Sequence, residues 1–146
     1  MTGGAVASAA ARSRRARLAV LYDRECGLCA STAAHLHRWD RNDRLELVPL
    51  QDASLAARPD LTAAVRGLPL AAALHVVDQA TGARHAGGDA ALAIASVLPG
   101  GWIVEPLRAI APIRWIVGLG YRVVAAHRHQ IGRWLRLEGP VCDVPP

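Results

Sequence analysis

The chain reads as an α/β domain: a mixed sheet flanked by helices, with an additional C-terminal helical extension. Three observations predict it. Leu18-Ala19-Val20-Leu21-Tyr22 is apolar at every position, as expected of a strand covered on both faces. A helix-like stretch and a second strand-like run, Leu45 to Leu50, follow it, completing strand, helix, strand over about 33 residues. That spacing is a βαβ unit, whose strands run parallel with a right-handed crossover. Further on, Ala73 to Val77 and Ala83 to Ala86 flank Asp78-Gln79-Ala80-Thr81-Gly82, the turn chemistry of a hairpin. With 146 residues the chain can bury one good core and has no room for two full domains. A hydrophobic share of 52% excludes general disorder.

Between the first two strands, Cys26 to about Trp39 reads as a helix, with Leu28, Thr32, Leu36 and Trp39 on one stripe. Asp40 to Arg44 is a polar break. Asp52 to Arg66 reads as helical in pieces, interrupted at Arg58-Pro59. After the hairpin, Gly87-Gly88 closes the returning strand. Asp89 is expected to cap a helix running to Leu98, stopped by Pro99-Gly100-Gly101. The order βαβ, helical connection, ββ, α is the thioredoxin-like arrangement. Such folds often carry a cis-proline just before the third strand. Pro69 is the nearby candidate, and X-Pro bonds favour trans.

Beyond Gly101 the chain exceeds what that minimal fold needs. Trp102 to Ala109 is a short helix. A longer one starts near Pro112, with Ile113, Val117, Tyr121, Val124, Ile131 and Leu135 at helical spacing. This stripe is expected to pack on the core, with the arginines on the opposite face. Gly118-Leu119-Gly120 is not a dinucleotide loop, because no strand precedes it and the third glycine is missing. The organisation predicted is a disordered basic arm over residues 1–17, a core over 18–101, the helical extension over 102–136 and an extended tail over 137–146.

The formal charge of +5 comes from arginine alone, since the chain has no lysine. Arg12, Arg14, Arg15 and Arg17 form the arm. Arg108, Arg114, Arg122, Arg128, Arg133 and Arg136 lie in the C-terminal third, where no acid stands between Glu105 and Glu138. The arm lacks the neighbouring aromatics that stack bases, so nucleic acid is not an expected partner. Its Ala/Arg composition and Ser13-Arg14-Arg15 resemble a transit peptide or a twin-arginine signal, but the apolar run before Asp23 is too short for either. A cytoplasmic protein is expected. Trp102 to Tyr121 is interrupted by Glu105, Arg108, Pro112 and Arg114, well short of the roughly 20 apolar residues of a spanning helix. Peripheral contact of a Trp- and Arg-bearing helix with a membrane surface stays open.

Chemistry points to Cys26-Gly27-Leu28-Cys29, placed directly after the first strand and at the start of a helix. A helix N-terminus stabilises a thiolate through its free N–H groups and dipole. A second thiol three residues on can close a disulfide with it. Such a pair near a βαβ unit reads as a redox motif; half a zinc site and two inert buried thiols are the other readings. With 3 cysteines there is no disulfide framework. His35 and His37 do not continue the thiols at a zinc-finger spacing, and His75, His85, His127 and His129 are expected to be structural or surface residues. Cys142 is expected to be a free thiol near the chain end. No metal and no bound cofactor is expected.

Tyr22-Asp23-Arg24-Glu25-Cys26-Gly27-Leu28-Cys29 resembles the signature of the DCC-type thiol–disulfide oxidoreductase family, with Asp23, Cys26 and Cys29 on its Asp, Cys, Cys positions. Leu74 to Asp78 followed by a Gly-containing turn, then Gly88-Asp89-Ala90, and the late Tyr121, Ala125 and Arg128 extend the resemblance over residues 18 to about 136. It implies a thioredoxin-like fold and thiol–disulfide exchange. Cys26, taken as the more exposed thiol, would attack; Cys29 would resolve. Asp23 would relay the Cys29 proton or else simply bind backbone N–H groups in the turn. Substrates would be protein or small-molecule disulfides or thiols, with an unidentified thiol reductant. The other functional reading is a binding module that docks a partner or membrane surface through its basic C-terminal helix, its thiols regulatory or metal-bound. Nucleic-acid binding through the arginine arm is a third.

Overall fold

The computed structural model describes residues 18–51, 53–70 and 73–136. The basic arm, the tail and Cys142 lie outside the described residues. The elements are β1 (Leu18–Tyr22), α1 (Gly27–Trp39), β2 (Leu45–Pro49), α2 (Ala53–Ala56), α3 (Pro59–Val65), β3 (His75–Asp78), β4 (Arg84–Ala86), α4 (Gly87–Val97), α5 (Gly101–Arg108) and α6 (Ala111–Trp134). The described strands form one mixed sheet in the order β2-β1-β3-β4. β1 runs parallel to β2, with Leu18 opposite Leu45 and Tyr22 opposite Pro49. It runs antiparallel to β3, with Leu21 opposite His75, and β3 pairs antiparallel with β4. This is the expected α/β, thioredoxin-like sheet with a C-terminal helix.

All of β1 is buried. Alternate side chains of a strand point to opposite faces, so this one strand seeds two cores. Leu18 and Val20 pack with Val76, Ala90, Ala93 and Ile94. Ala19 and Leu21 pack with Val48, Leu61, Val65 and Val77 on the other face. Each of the valine, leucine and isoleucine side chains among them contributes about 1.5–3 kcal/mol when fully buried, and the alanines less. At the hairpin, Asp78 Oδ1 accepts from the N–H groups of Ala80 and Thr81 at 2.9 and 3.3 Å, which fixes the turn locally.

Several expectations need correction. β3 begins at His75 rather than Ala73. Pro69 needs none: among the described residues no peptide bond is cis, so Pro69 is trans, as the general preference of X-Pro bonds favours. Asp89 is not the cap of α4: Ala86 occupies that position and Asp89 lies in the first turn, where its carboxylate accepts a forked pair of hydrogen bonds from Arg114 at 3.1 and 3.0 Å. The buried face of α1 consists of Ala30, Ala33 and Ala34, small residues that bring the helix close to the sheet. Leu28 and Leu36 are half-buried, Thr32 is exposed, and Trp39 is 63% exposed.

The C-terminal extension does pack on the core, along α4 and across α1. Glycines allow the approach. A Cβ at Gly88 would meet the Gly118 Cα at 2.7 Å and N at 2.9 Å, backbone atoms that cannot swing aside. Gly87 has φ +60°, which favours glycine, and a Cβ there would meet the Tyr121 ring at 3.3 Å. The Leu74 N–H donates to the Tyr121 hydroxyl at 2.6 Å, tying α6 to the start of β3. The predicted stripe is only partly the packed one. Ile113, Val117, Tyr121 and Ile131 are half-buried, whereas Val124 and Leu135 are 45% and 49% exposed.

Gly88→Ala should therefore push α6 off α4 and destabilise the domain by about 1–3 kcal/mol, read as a fall of several degrees in melting temperature for a chain of this size. Tyr121→Phe should cost less, about 1 kcal/mol, by leaving the Leu74 N–H without its acceptor. Unchanged melting in both variants would contradict this packing.

Candidate active site

Parallel pairing of β1 and β2 brings their C-terminal ends together, the edge where α/β sheets place their sites. The Leu50 N–H donates to the Tyr22 carbonyl at 3.0 Å, continuing the register past both strands. The turn between β1 and α1 is held from that side. Asp23 Oδ1 accepts from the Glu25 N–H at 2.9 Å and from Gln51 Nε2 at 2.6 Å. The Arg24 N–H in turn donates to Gln51 Oε1 at 3.1 Å. Gln51 thus clamps the loop that presents the cysteines. It was not picked out in the sequence, although the parallel β1/β2 assignment already put the residue after Leu50 beside the loop after Tyr22.

Cys26 is the N-cap of α1. Its backbone is extended (φ −85°, ψ 110°), no side-chain hydrogen bond caps the helix, and the first turn holds no acid. Its carbonyl accepts the first helical bond, from the Ala30 N–H at 2.9 Å. An N-cap side chain sits where it can accept from the second and third helical amides. In most helices an oxygen fills that place; here a cysteine stands at the position and makes no capping hydrogen bond. Cys29 is the third helical residue, and the two cysteines lie 3.2 Å apart as free thiols.

The exposures are the reverse of the expectation. Cys26 is buried, at 5% exposed, while Cys29 is half-buried and lines a cavity. Cys29 faces the gap between α1 and α6. The cavity measures about 260 Å³. Leu28, Thr32 and Leu36, three of the four predicted stripe residues of α1, form one wall, and Tyr121, Val124, Ala125 and Arg128 of α6 form another. The C-terminal extension is thus part of the site. Tyr121 belongs to the expected packed stripe, and Ala125 enters only through the family resemblance; Arg128, expected on the opposite face with the other arginines, instead lines the cavity beside them, because steps of four and three residues put all three on one side of α6.

Electrostatics separates the two thiols. The Cys29 thiol is pushed up from 9.0 to about 12, first by burial, then by its hydrogen bond to Cys26 and the Cys26 charge. Asp23 adds to the rise and Arg128 opposes it. Cys29 therefore keeps its proton and directs it at Cys26. Arg24 and Glu25 are exposed.

Asp23, Cys26 and Cys29, the three predicted site residues, are brought to one end of β1. The histidines are not. His75 is buried in β3 with Nε2 3.3 Å from the Pro69 carbonyl. His35 Nδ1 lies 2.8 Å from the Ser31 carbonyl within α1. No group of three or more His, Cys, Asp or Glu side chains among the described residues is arranged to hold a metal ion.

The family model of DCC1-like thiol-disulfide oxidoreductases matches residues 20–134, which include Cys26, Cys29 and the whole of α6. Comparison with curated proteins and with solved structures gave no match. The matched span covers well over half of the chain and agrees with the two adjacent thiols at the N-terminus of α1. The chain belongs to the DCC1-like thiol-disulfide oxidoreductase family.

Proposed function

We propose that the protein catalyses two-electron thiol–disulfide exchange in the cytoplasm, with Cys26 as nucleophile and Cys29 as resolving thiol. The observation that carries this reading is the N-cap placement of Cys26, 3.2 Å from Cys29. A helix N-terminus is the end of a helix that attracts negative charge, and the Cys29 thiol hydrogen-bonds to Cys26. The Cys26 thiolate attacks one sulfur of a substrate disulfide. A mixed disulfide forms on Cys26, and the first substrate sulfur leaves as a thiolate and takes a proton. Cys29 then attacks the Cys26 sulfur and releases the second substrate thiolate. The products are a substrate reduced by two electrons and a Cys26–Cys29 disulfide, which an external thiol reductant returns to the dithiol.

The order of events has an electrostatic basis. While Cys26 is a free thiolate, its charge and hydrogen bond hold the Cys29 proton in place. Once Cys26 is tied into the mixed disulfide, both influences vanish; burial and Asp23 still raise the Cys29 thiol and Arg128 still lowers it. The Cys29 proton is then held less tightly than in the dithiol, at the step that needs a second nucleophile. Asp23 lines the same cavity and is assigned as acceptor of the Cys29 proton, in addition to its turn hydrogen bonds. Substrates of this reading are protein or small-molecule disulfides. No bound cofactor takes part.

A small alkylating reagent should label Cys26 of the reduced protein first through the neutral and mildly alkaline range, with Cys29 protected until far higher pH. Cys29→Ser should trap substrates on Cys26 as mixed disulfides, and Cys26→Ser should trap none. First labelling of Cys29, with trapping in the Cys26→Ser variant, would reverse the roles.

The raised Cys29 value also predicts a pH dependence of folding. The fold favours the protonated thiol, so its contribution is present below about 9.0 and is lost as pH rises toward about 12. Between those limits the stability of the wild type should fall more steeply than that of Cys29→Ser in denaturant titrations. Parallel curves would contradict the burial of a protonated Cys29.

The exchange reading further requires the two sulfurs to be free for chemistry. Purified protein should contain far less than one zinc per chain and should keep its melting temperature in chelator. Stoichiometric zinc bound through both thiols, with unfolding on its removal, would make the pair a structural site instead.

A further inference from the structure

The inner side of α6 is occupied by the core and the cavity; its outer side is not. Trp115, Ile116, Leu119 and Val123 are 70%, 61%, 47% and 54% exposed. Steps of one, three and four residues put these four side chains within one stripe on the outside of a helix turning 100° per residue. Trp134 continues the stripe three turns on and is 85% exposed. In the adjoining α5, Trp102 and Ile103 are 79% and 51% exposed. Contiguous apolar surface of this kind marks an interaction site in a folded protein.

Charge decides what covers it. From Pro106 to Leu137 the sequence carries six arginines and no acid. Arg108 and Arg114 reach carboxylates of Glu105 and Asp89. Arg122, Arg133 and Arg136 are exposed, and among the described residues no salt bridge joins them to a carboxylate. By helical position Arg122 and Arg133 flank the apolar stripe. A second copy of the chain, stripe against stripe, would bring these arginine clusters together without counter-charge. An acidic, apolar layer supplies what the face lacks on both counts. No single helix among the described residues is long and apolar enough to span a bilayer, and the pair α5 and α6, apolar enough together, is bent by 106°. Such a pair lies along an interface better than across it.

We propose that the outer face of α6 seats the protein on the surface of an anionic lipid bilayer. Trp115, Ile116, Leu119 and Val123 enter the headgroup–acyl boundary, and Arg122, Arg133 and Arg136 meet the phosphates. Tryptophan and arginine suit that depth, the first by its amphipathic ring and the second by a long stem under a charged head. This inference is independent of the thiol chemistry. Its consequence for the site is orientation: the cavity wall formed by Tyr121, Val124 and Arg128 belongs to the same helix as the docking face, so docking holds Cys29 at a fixed distance from the membrane surface.

The test is flotation of the full chain with two kinds of vesicle, one of phosphatidylcholine alone and one of phosphatidylcholine and phosphatidylglycerol in equal parts. The protein should float with the anionic vesicles at low salt, be released as salt rises, and stay behind with the neutral ones. Replacing Arg122, Arg133 and Arg136 together by Gln should weaken binding on the order of a hundredfold, since each basic residue near an anionic surface contributes roughly a factor of five. Leu119→Gln with Val123→Gln should also abolish flotation. These side chains are exposed, so melting temperature and the reactivity of Cys26 should stay unchanged and show that the fold is intact. Three results would overturn the proposal: no binding to the anionic vesicles at low salt, binding unaltered by the Gln variants, or a concentration-dependent dimer in sedimentation that the Leu119/Val123 variant dissolves.

Discussion

The burial of β1 on both faces is the constraint on which the rest of the molecule depends. Five consecutive apolar residues can be satisfied only by helices above and below and by strands on either side. Once β2 pairs parallel to β1, both chains leave the sheet at the same edge. The loop after Tyr22 then meets the loop after Pro49, and Gln51 locks the turn that carries Asp23 to Cys26. A rigid strand, a clamped turn and a helix start are what a pair of thiols needs to be held at 3.2 Å. The reactive geometry follows from the core rather than being added to it.

The two thiols divide their properties. One has the position that stabilises negative charge, and the other has contact with the cavity. Cys26 is almost fully buried; Cys29 faces α6, with Arg128 and Asp23 exerting opposite influences on its proton. Cavity contact and the N-cap position therefore sit on different cysteines, joined by one hydrogen bond. The environment of Cys29 depends on the C-terminal helix, which forms one wall of its cavity. That helix is held against α4 by glycine-to-backbone contact at Gly88 and Gly118 and by the Tyr121 hydroxyl. Its inward face completes the cavity while its outward face carries the exposed tryptophan and aliphatic side chains.

Much of this was legible in the sequence, for a physical reason. β1 announces itself because every residue is apolar, and the hairpin because Asp78 and Gly82 carry turn chemistry. The break at Arg58-Pro59 was readable because proline starts α3 at its first position. What was not legible depended on close approach and on which side of a helix meets a neighbour. The stripe Leu28, Thr32, Leu36 was correct as a stripe, yet it lines a cavity while alanines face the sheet, since periodicity does not say which partner a face meets. Asp89 resembled a cap until Arg114, distant in sequence, took its carboxylate. Cys26 was expected to be exposed by its place at a helix start, and only the three-dimensional packing shows that it is buried. α6 shows apolar residues on more than one side, so its packed stripe and its free stripe could not be separated by spacing alone.

The central claim is that the Cys26–Cys29 pair is a reversible two-electron couple held by a preformed fold. The most direct measurement is equilibration of the full chain against glutathione buffers of stepped ratio, followed by acid quench, alkylation and mass analysis of the Cys26–Cys29 peptide. The account predicts one sigmoidal transition between dithiol and disulfide, with the slope of a two-electron couple, with no loss of folded structure at either end. A pair that stays dithiol across the whole series, or that oxidises only as the domain unfolds, would contradict it.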